Sequence, residues 1–203
     1  MFFTLEGVDP RFQHLKRRLE RDGHVLTPDS GHIIAPPALR RGIPYYDDPI
    51  YVLENAALTA EAAAELLMRR TPGSVRGMDA AVAGYGRIGR SLADILAALG
   101  ARVTVAARSP LERAAAGIRG HNSVDITYLI GPYDAVINTI PAPVLAGDYG
   151  GALCLDLASA PGGWPESAPV LRAPGLPGLY APKAAADLLA EAIYRVMEVD
   201  INE

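Results

Sequence analysis

The chain has 203 residues, of which 50% are hydrophobic and 21% charged, and this composition is typical of a globular protein with one large or two small domains. Its formal net charge of -4 includes no basic stripe, so nucleic acid is not an expected partner. The single cysteine, Cys154, lies in an apolar run, which excludes a disulfide framework and indicates a buried thiol in a reducing compartment. No stretch approaches the ~18 apolar residues of a membrane helix, and no signal peptide is evident, so we expect a cytoplasmic protein without a membrane partner.

Residues 1–56 predict a small N-terminal α/β unit on the substrate side of the protein. Phe12, Leu15 and Leu19 recur at helical spacing, and this helix follows the turn Gly7–Pro10 and ends before Gly23. Short apolar runs predict strands at Met1–Leu5, His24–Thr27, Ile33–Ala35 and Ile43–Tyr46. A unit of this size has a marginal core of its own, so we expect it to bury surface against the larger domain or in a homodimer or higher homo-oligomer.

Residues 57–77 predict a linking helix and loop. Thr59–Arg70 is rich in alanine, leucine and glutamate, with Thr59 placed to cap the helix and Glu61 in its first turn. The helix is expected to end at Thr71, before Pro72 and Gly73. A ligand cleft is expected near the start of this helix.

Residues 78–182 predict a Rossmann-like dinucleotide-binding domain that begins with a βαβ unit. The apolar run Ala80–Ala83 leads into Gly84, Tyr85, Gly86, Arg87, Ile88 and Gly89, followed by a helical pattern and a second apolar run. Gly84 permits a tight turn, Gly86 lets a diphosphate approach the backbone, and Gly89 lets the helix pack close to the strand. The alternative is a glycine-rich turn of an ordinary α/β domain, but the strand and helix on either side favour dinucleotide binding.

The end of the second strand of this unit predicts NADP in preference to NAD. NAD-binding proteins usually have an acidic residue there to hold the ribose 2′-hydroxyl, whereas this chain has Arg108 and Ser109. An arginine and a hydroxyl suit a 2′-phosphate, which a carboxylate would repel, and Arg113 is placed one turn further on to reinforce them. The alternative is that Arg108 is only a solvated residue at a strand end.

The remainder of the domain predicts more strands of a doubly wound parallel sheet. A short helix is expected at Leu111–Gly117, followed by a polar connection through Asp125. Strands are expected at Ala135–Ile140, Ala152–Ala158 and Val170–Ala173. Residues 183–203 are then expected to form a C-terminal helical segment that packs back on the N-terminal unit, with Leu188, Leu189, Ile193 and Val196 facing inward. The fold class is therefore α/β, with a Rossmann-like doubly wound sheet and a small, truncated N-terminal unit.

Three strand ends switch abruptly to proline and glycine, which predicts a ligand site at the carboxyl edge of the sheet. The three segments follow Asn138, Asp156 and Ala173. Lys183 lies in the first turn of the last helix, where the helix dipole disfavours a cation unless an anion binds nearby. The alternatives are ordinary tight turns and a solvated lysine. The four histidines show no spacing typical of a metal site.

The chain resembles the A subunit of dipicolinate synthase, a family of NADP-dependent dehydrogenases from spore-forming bacteria. The resemblance is carried by eight segments, which are GVDPRFQHLKRRL (7–19), HIIAPP (32–37), ENAALTAEA (54–62), GYGRIG (84–89), VTVAARS (103–109), INTIPA (137–142), LDLASAPGG (155–163) and APGLPGLYAPKAA (173–185). The chain differs from the family at the front, where it lacks part of the N-terminal domain between His32 and Tyr46. It also has Leu58–Ala62 (LTAEA) in place of the family's Pro-Thr-x-Glu-Gly.

The resemblance implies oxidation of dihydrodipicolinate to dipicolinate by hydride transfer to NADP, within dipicolinate biosynthesis during sporulation. It implies a small dicarboxylate substrate and, for a partner, a flavoprotein B subunit. Lys183 and the amides around Gly162 and Gly175 would hold carboxylates. Thr139, Ile140 and Pro141 would contact the cofactor, and Thr139 and Ser159 would orient the reacting ring or the nicotinamide. The proton acceptor would be Glu61, Asp156 or Lys183. A non-catalytic NADP-binding subunit or sensor, and a reductase of another small carboxylic acid, remain open as alternatives.

Overall fold

The structure, a computed structural model, describes residues 1–147 and 149–198. The chain forms two compact units. Unit 1 contains residues 1–58 together with the chain from Pro177 onward, and unit 2 contains residues 59–176. The last five residues of the predicted C-terminal segment 183–203 lie outside the described residues. The division falls two residues after the predicted boundary at 56 and six residues before the predicted boundary at 182.

Unit 2 is built on a six-stranded parallel sheet. The strands are β4 (Asp79–Ala83), β5 (Arg102–Ala106), β6 (Asn122–Val124), β7 (Ala135–Asn138), β8 (Leu153–Asp156) and β9 (Leu171–Arg172). Their spatial order is β6-β5-β4-β7-β8-β9. The chain order reverses between β4 and β7, which places the topological switch point of the sheet at these two strands. The predicted fold class, an α/β fold with a Rossmann-like parallel sheet, is confirmed.

Helices α3 (Arg87–Ala98) and α4 (Pro110–Ile118) are the crossover helices of the first half of this sheet. The central strands are apolar on both faces because helices cover a doubly wound sheet on both sides, and Ala80–Ala83 are accordingly fully buried. Leu92 and Leu96 are the buried face of α3, at the helical spacing that the sequence shows. Trp164, Leu145 and Tyr149 extend the core beneath the second half of the sheet.

Unit 1 has a three-stranded parallel sheet with the order β2-β1-β3. Its strands are short, with β1 at Phe2–Leu5, β2 at Val25–Leu26 and β3 at Ile33–Ile34. Helix α1 (Phe12–Arg21) packs against α6 (Pro182–Met197), and the two bury Leu15, Leu19, Leu189 and Ile193 in one cluster. The C-terminal helix therefore completes a core that the first 58 residues alone would lack. Val196, which was predicted to face inward, is 37% exposed.

Helix α2 (Pro49–Arg70) begins ten residues earlier than the predicted start at Thr59. Asp48 caps it instead, since its Oδ2 accepts a hydrogen bond of 2.9 Å from the backbone N–H of Tyr51. Thr59 is buried in the middle of the helix, so its predicted role as a cap is wrong. Glu61 consequently lies three turns from the helix start, where the dipole has little effect on it.

The predicted strand Ile43–Tyr46 is also wrong. Gly42 makes only an isolated bridge to Ile34, and Tyr45–Asp47 is a short 3-10 turn. The Tyr45 hydroxyl donates a hydrogen bond of 2.8 Å to the Ala35 carbonyl, so tertiary burial of an aromatic ring explains the apolar pattern here.

One strand and one α-helix were not predicted. The polar connection before Asp125 contains the edge strand β6, and the segment after Gly175 contains the short helix α5 (Leu176–Tyr180). Within residues 1–147 and 149–198, no helix is both long and apolar enough to cross a membrane.

Candidate dinucleotide-binding site

The turn after β4 has the backbone geometry that the glycine motif predicts. Gly84 has φ of +94°, and a Cβ there would lie 2.5 Å from Thr139 Oγ1 and 2.9 Å from Ile140 Cγ1. Its N–H donates to the Ala106 carbonyl at the end of β5, with an N–O distance of 2.9 Å. A residue with a side chain would be both strained and crowded, so only glycine fits this position.

The start of α3 is open, as an anion site requires. Gly86 is the N-cap residue, no side chain caps the helix, and a Cβ at Gly86 would meet no atom within 4 Å. Gly89 is the opposite case, since a Cβ there would overlap the Gly84 carbonyl oxygen. The first N–H groups of α3 therefore point into free space beside a closely packed turn, and a diphosphate fits this arrangement.

The side chains of Tyr85, Arg87 and Ile88 differ in their surroundings. Tyr85 is 1% exposed, its ring packs against His121 and the Arg90 guanidinium, and its carbonyl accepts a hydrogen bond of 2.8 Å from Arg90 Nε, so it is a packing residue of the turn. Burial raises the pKa of its hydroxyl. Arg87 is exposed at the first position of α3, and Ile88 is half-buried. Arg87 is therefore the only cation in the GYGRIG turn.

The end of β7 lies directly beside the glycine turn. Thr139 donates hydrogen bonds of 2.9 Å to the Ala83 carbonyl from both its backbone N–H and its Oγ1. Asn138 holds the next residue, because its Nδ2 donates to the Ile140 carbonyl and its Oδ1 accepts from the Ile140 N–H. Thr139, Ile140 and the following Pro141 are thus fixed at the switch point of the sheet, where a parallel α/β fold binds its ligand.

The end of β5 presents an exposed arginine. Ala107 is buried and Arg108 is exposed directly after it, while Ser109 is the N-cap of α4. The Ser109 Oγ accepts a hydrogen bond of 3.4 Å from the Glu112 N–H, which leaves its own O–H available as a donor. The structure thus places a cation and a hydroxyl together at the end of this strand.

Arg113 does not extend toward a ligand but holds the backbone of this strand end. Its Nη1 donates hydrogen bonds of 2.7 Å to the carbonyl oxygens of Ala107 and Arg108 and one of 2.8 Å to Asp125 Oδ2. Hydrogen bonds from Thr127, together with Arg113, hold the pKa of Asp125 below its usual value. The carboxylate at the end of β6 is therefore already neutralised by a cation.

Asp156, a predicted proton acceptor, is the centre of a buried hydrogen-bond network. Its side chain is 1% exposed. Its Oδ1 accepts from Asn138 Nδ2 at 2.8 Å and from the Ala158 N–H at 3.3 Å. Its Oδ2 accepts from the Gly163 N–H at 2.9 Å and from Arg172 Nη1 at 3.1 Å. Because both oxygens are occupied by donors, the arrangement favours a structural role that joins the ends of β7, β8 and β9.

The other three predicted catalytic residues are exposed. Glu61 is on the surface of α2, and Ser159 is on the surface of the loop after β8. Lys183 belongs to unit 1, is 76% exposed, and makes an ion pair of 3.2 Å with Asp187 one turn further along α6. That partner explains how a lysine is tolerated in the first turn of the helix. Within unit 2, Glu61, Ser159 and Asp156 form no hydrogen bond with one another among the described residues.

Sequence reasoning missed Asn138 and Arg172 as partners of Asp156. Asn138 is fully buried. It could have been recognised in the sequence as a polar residue at the end of an otherwise apolar strand. Arg172 follows a short apolar run and gave no signal of its own, because its partner is 16 residues away in the chain.

Comparisons with known proteins agree with this geometry. Residues 54–144 match the family model of the NAD binding domain of D-isomer specific 2-hydroxyacid dehydrogenases. This range contains the glycine turn, α3, the end of β5 and Thr139. The match supports a nicotinamide dinucleotide as the cofactor class of this domain.

A curated relative and two solved structures are similar over most of the chain. The chain is 33% identical over 185 residues to the A subunit of dipicolinate synthase of Bacillus subtilis, covering 84% of this chain and 62% of that protein. The crystal structure of the corresponding protein from Bacillus halodurans superposes with a TM-score of 0.79 at 22% identity, covering 100% of this chain and 98% of the other. The crystal structure of the A chain of dipicolinate synthase from Bacillus subtilis superposes with a TM-score of 0.76 at 23% identity, covering 98% of this chain and 96% of the other. The chain thus spans less than two thirds of the length of the curated relative.

Proposed function

Because the chain belongs to the family of the dipicolinate synthase A subunit, we propose that it is an NADP-dependent oxidoreductase. The observation that carries the proposal is the open start of α3. There Gly86 leaves free space beside uncapped N–H groups, and Gly84 and Gly89 are too tightly packed for any side chain. A nicotinamide dinucleotide, when bound, supplies the acceptor or donor of a hydride. The protein supplies binding and orientation.

The residues at the end of β5 support NADP as the cofactor. Arg108 would hold the 2′-phosphate, with the Ser109 hydroxyl as a second donor. Asp125, directly after the neighbouring strand β6, would not repel that phosphate, because Arg113 and Thr127 already occupy its two oxygens. NAD would lack the phosphate and leave Arg108 without a partner, so it should bind more weakly.

For the reaction, we propose hydride removal from a dihydropyridine dicarboxylate, which loses a hydride and a proton and becomes the aromatic dipicolinate. The name of the curated relative supports this product class. Glu61 and Lys183 are exposed groups that could take part in proton transfer or carboxylate binding, and Ser159 could orient the ring. A homodimeric state, a cytoplasmic location and pairing with a flavoprotein B subunit belong to the same proposal.

The experiment has two steps. Calorimetry first measures NADP and NAD binding to the full chain and to Arg108→Ala, with Arg76→Ala as a control that removes an exposed arginine elsewhere in unit 2. Loss of a charge-assisted hydrogen bond should weaken NADP about 10-fold or more in Arg108→Ala and leave NAD unchanged. Equal weakening of both cofactors would contradict the assignment of Arg108 to the 2′-phosphate.

The second step measures reduced nicotinamide by absorbance when the protein, NADP and dihydrodipicolinate are mixed, with and without a B subunit. Turnover supports the dehydrogenase. Absence of turnover under both conditions, with NADP still bound, contradicts it.

The second candidate is a protein that binds NADP without catalysis, either as a sensor or as one subunit of a complex. The observation that favours it is the state of Asp156, whose oxygens are both occupied, while Glu61 is exposed and distant from it in sequence. This candidate predicts NADP binding with no substrate-dependent change in absorbance. A reductase of another small carboxylic acid would instead show turnover in a panel of such acids.

A further inference from the structure

A cavity of about 590 Å³ lies at the carboxyl ends of β8 and β9, entirely within unit 2. Its volume is in the range of ~300–1,000 Å³ that small-molecule sites usually have. It lies at the same edge of the parallel sheet as the glycine turn, because all six strands run in one direction. None of the residues assigned above to the dinucleotide lines it, so it is a separate feature of this edge.

The walls of the cavity are rigid and mainly apolar. Four prolines line it, Pro143, Pro161, Pro165 and Pro174, together with Trp164. Proline fixes the backbone φ angle, so this lining has little freedom to collapse. Saturated proline rings present C–H groups that pack against the face of a flat ring by dispersion.

The Asp156 network holds the loop that forms one wall. A Cβ at Gly162 would lie 2.5 Å from Asp156 Oδ2, and a Cβ at Gly163 would overlap the Asn138 side chain. The Gly163 N–H in turn donates to Asp156. Larger residues would push this loop away from the strand ends, so the two glycines and the buried carboxylate together set the shape of the cavity.

Among the described residues that line the cavity, Arg172 is the only cation. Its Nη1 donates to Asp156, and its Nη2 donates to the Pro165 carbonyl at 2.8 Å. Its Nε–H has no acceptor among the described residues, and 34% of the side chain is exposed. A guanidinium held in this way retains a donor for an anion and loses little side-chain entropy when it binds one.

We propose that this cavity binds a small flat ring that carries a carboxylate. The ring packs against the proline rings near Trp164, and the carboxylate pairs with Arg172. The proposal deepens the proposed function and rests on it for the identity of the ring, since pyridine and dihydropyridine carboxylates belong to this class. Glu166, an exposed carboxylate that also lines the cavity, opposes the ligand charge and so keeps binding from being tight.

The only tryptophan of the sequence lines this cavity, and it provides a readout that needs neither cofactor nor activity. The full chain, without dinucleotide, is titrated with pyridine-2,6-dicarboxylate and pyridine-2-carboxylate while Trp164 fluorescence is followed. Pyridine-2-carboxamide is the matched ligand without charge. We expect saturable changes with both carboxylates and binding about 10-fold weaker with the carboxamide. No saturable change with the carboxylates, or equal affinity for the carboxamide, would overturn the proposal.

Two charge variants test the assignment of the carboxylate. Arg172→Gln should weaken the carboxylates about 10-fold, whereas Glu166→Gln should tighten them about two- to three-fold. Because Arg172→Gln also removes a partner of Asp156, its folding is checked by circular dichroism. Glu166→Gln breaks no ion pair among the described residues and tests the proposal even if Arg172→Gln does not fold. Unchanged or weaker carboxylate binding in Glu166→Gln would overturn the proposal.

Failure of this inference is distinguishable from failure of the proposed function. If NADP binds in calorimetry but the pyridine carboxylates leave Trp164 fluorescence unchanged, the cavity assignment fails and the cofactor assignment stands. If the carboxylates bind and neither dinucleotide does, the cavity assignment stands and the proposed oxidoreductase fails.

Discussion

The two halves of the six-stranded sheet build their carboxyl edges in different ways. At β4 and β5 the edge is made mainly by backbone, with a glycine turn, uncapped N–H groups and the exposed arginines Arg87 and Arg108. At β7, β8 and β9 it is made by a buried carboxylate that joins three strand ends through side-chain and backbone donors. The first half depends on short sequence spacing, and the second depends on contacts between distant residues. A sequence motif therefore predicts the candidate ligand site of the first half, whereas the candidate site of the second half is recognised only from the folded structure.

The largest expected effect on stability is that of Asp156→Asn, in the second half of the sheet. This change places an amide where Oδ2 accepts from Gly163 and Arg172, and it leaves the buried network with an unmatched donor. We expect a loss of about 3 kcal/mol in the free energy of unfolding, measured by urea denaturation. Glu20→Gln, which breaks the exposed pair with Lys16, is the control and should cost less than about 0.5 kcal/mol. Equal effects of the two changes would contradict the structural role of Asp156.

The next largest effect is expected in the first half of the sheet, where two helical glycines are replaced by alanine and the stabilities of the variants are compared. In Gly89→Ala the new Cβ meets the Gly84 carbonyl oxygen, whereas in Gly117→Ala, within α4, it meets no atom within 4 Å. We expect Gly89→Ala to destabilise the protein by about 2 kcal/mol because backbone atoms must shift. Gly117→Ala should be neutral or stabilising by up to about 1 kcal/mol, since alanine has the higher helix propensity. The same denaturation experiment measures both, and a stable Gly89→Ala protein would show that the turn is not tightly packed.

A smaller effect is expected in unit 1, where the Asp48 carboxylate makes the free energy of unfolding depend on pH. The hydrogen bond from Arg195, with that from the Tyr51 N–H, holds the pKa of Asp48 below its usual value. A lowered pKa stabilises the fold above pH ~4, and that contribution is lost as the pH falls through the folded-state value.

The free energy of unfolding measured between pH 6 and pH 3 should therefore fall less steeply in Asp48→Asn than in the unmodified protein. At pH 6 the variant should be less stable by about 1 kcal/mol, because it also weakens the cap of α2. Asp29→Asn, which removes an exposed carboxylate, is the matched control and should leave the slope unchanged. An unchanged slope in Asp48→Asn would show that the pairing with Arg195 contributes nothing.

The parts of the fold that the sequence predicted are those in which neighbours in the chain are neighbours in space. The glycine turn, the buried face of α3 and the position of Arg108 depend on residues within one βαβ unit. The start of α2 was missed because Pro49 and the residues after it gave no helical pattern as clear as Thr59–Arg70. The strand at Ile43–Tyr46 was wrong because buried tyrosines in a 3-10 turn have the same apolar signature as a short strand.

The candidate site likewise has parts that the sequence predicted and parts that it did not. Gly84, Gly86 and Gly89 have the geometry that their spacing predicted, and Arg108 is exposed where the strand ends. The hydrogen bonds of Asp156 could not be predicted, because two of its partners are 16 and 18 residues away and come from other strands. The partners of Arg113 likewise depend on Asp125, 12 residues further on, and this pairing replaces the predicted contact with a phosphate.

The most direct test of the account is calorimetry of NADP binding to the unmodified chain and to Gly86→Val. Gly86 has φ of -76°, which valine also adopts, and a Cβ there meets no atom within 4 Å, so the variant should fold, with a loss of about 1 kcal/mol because valine is a poorer N-cap residue than glycine. Its side chain would occupy the space in which a diphosphate approaches the first N–H groups of α3. The account predicts saturable NADP binding to the unmodified chain and at least about 10-fold weaker binding to Gly86→Val. Equal NADP affinity in the two proteins, or no heat from either, would contradict it.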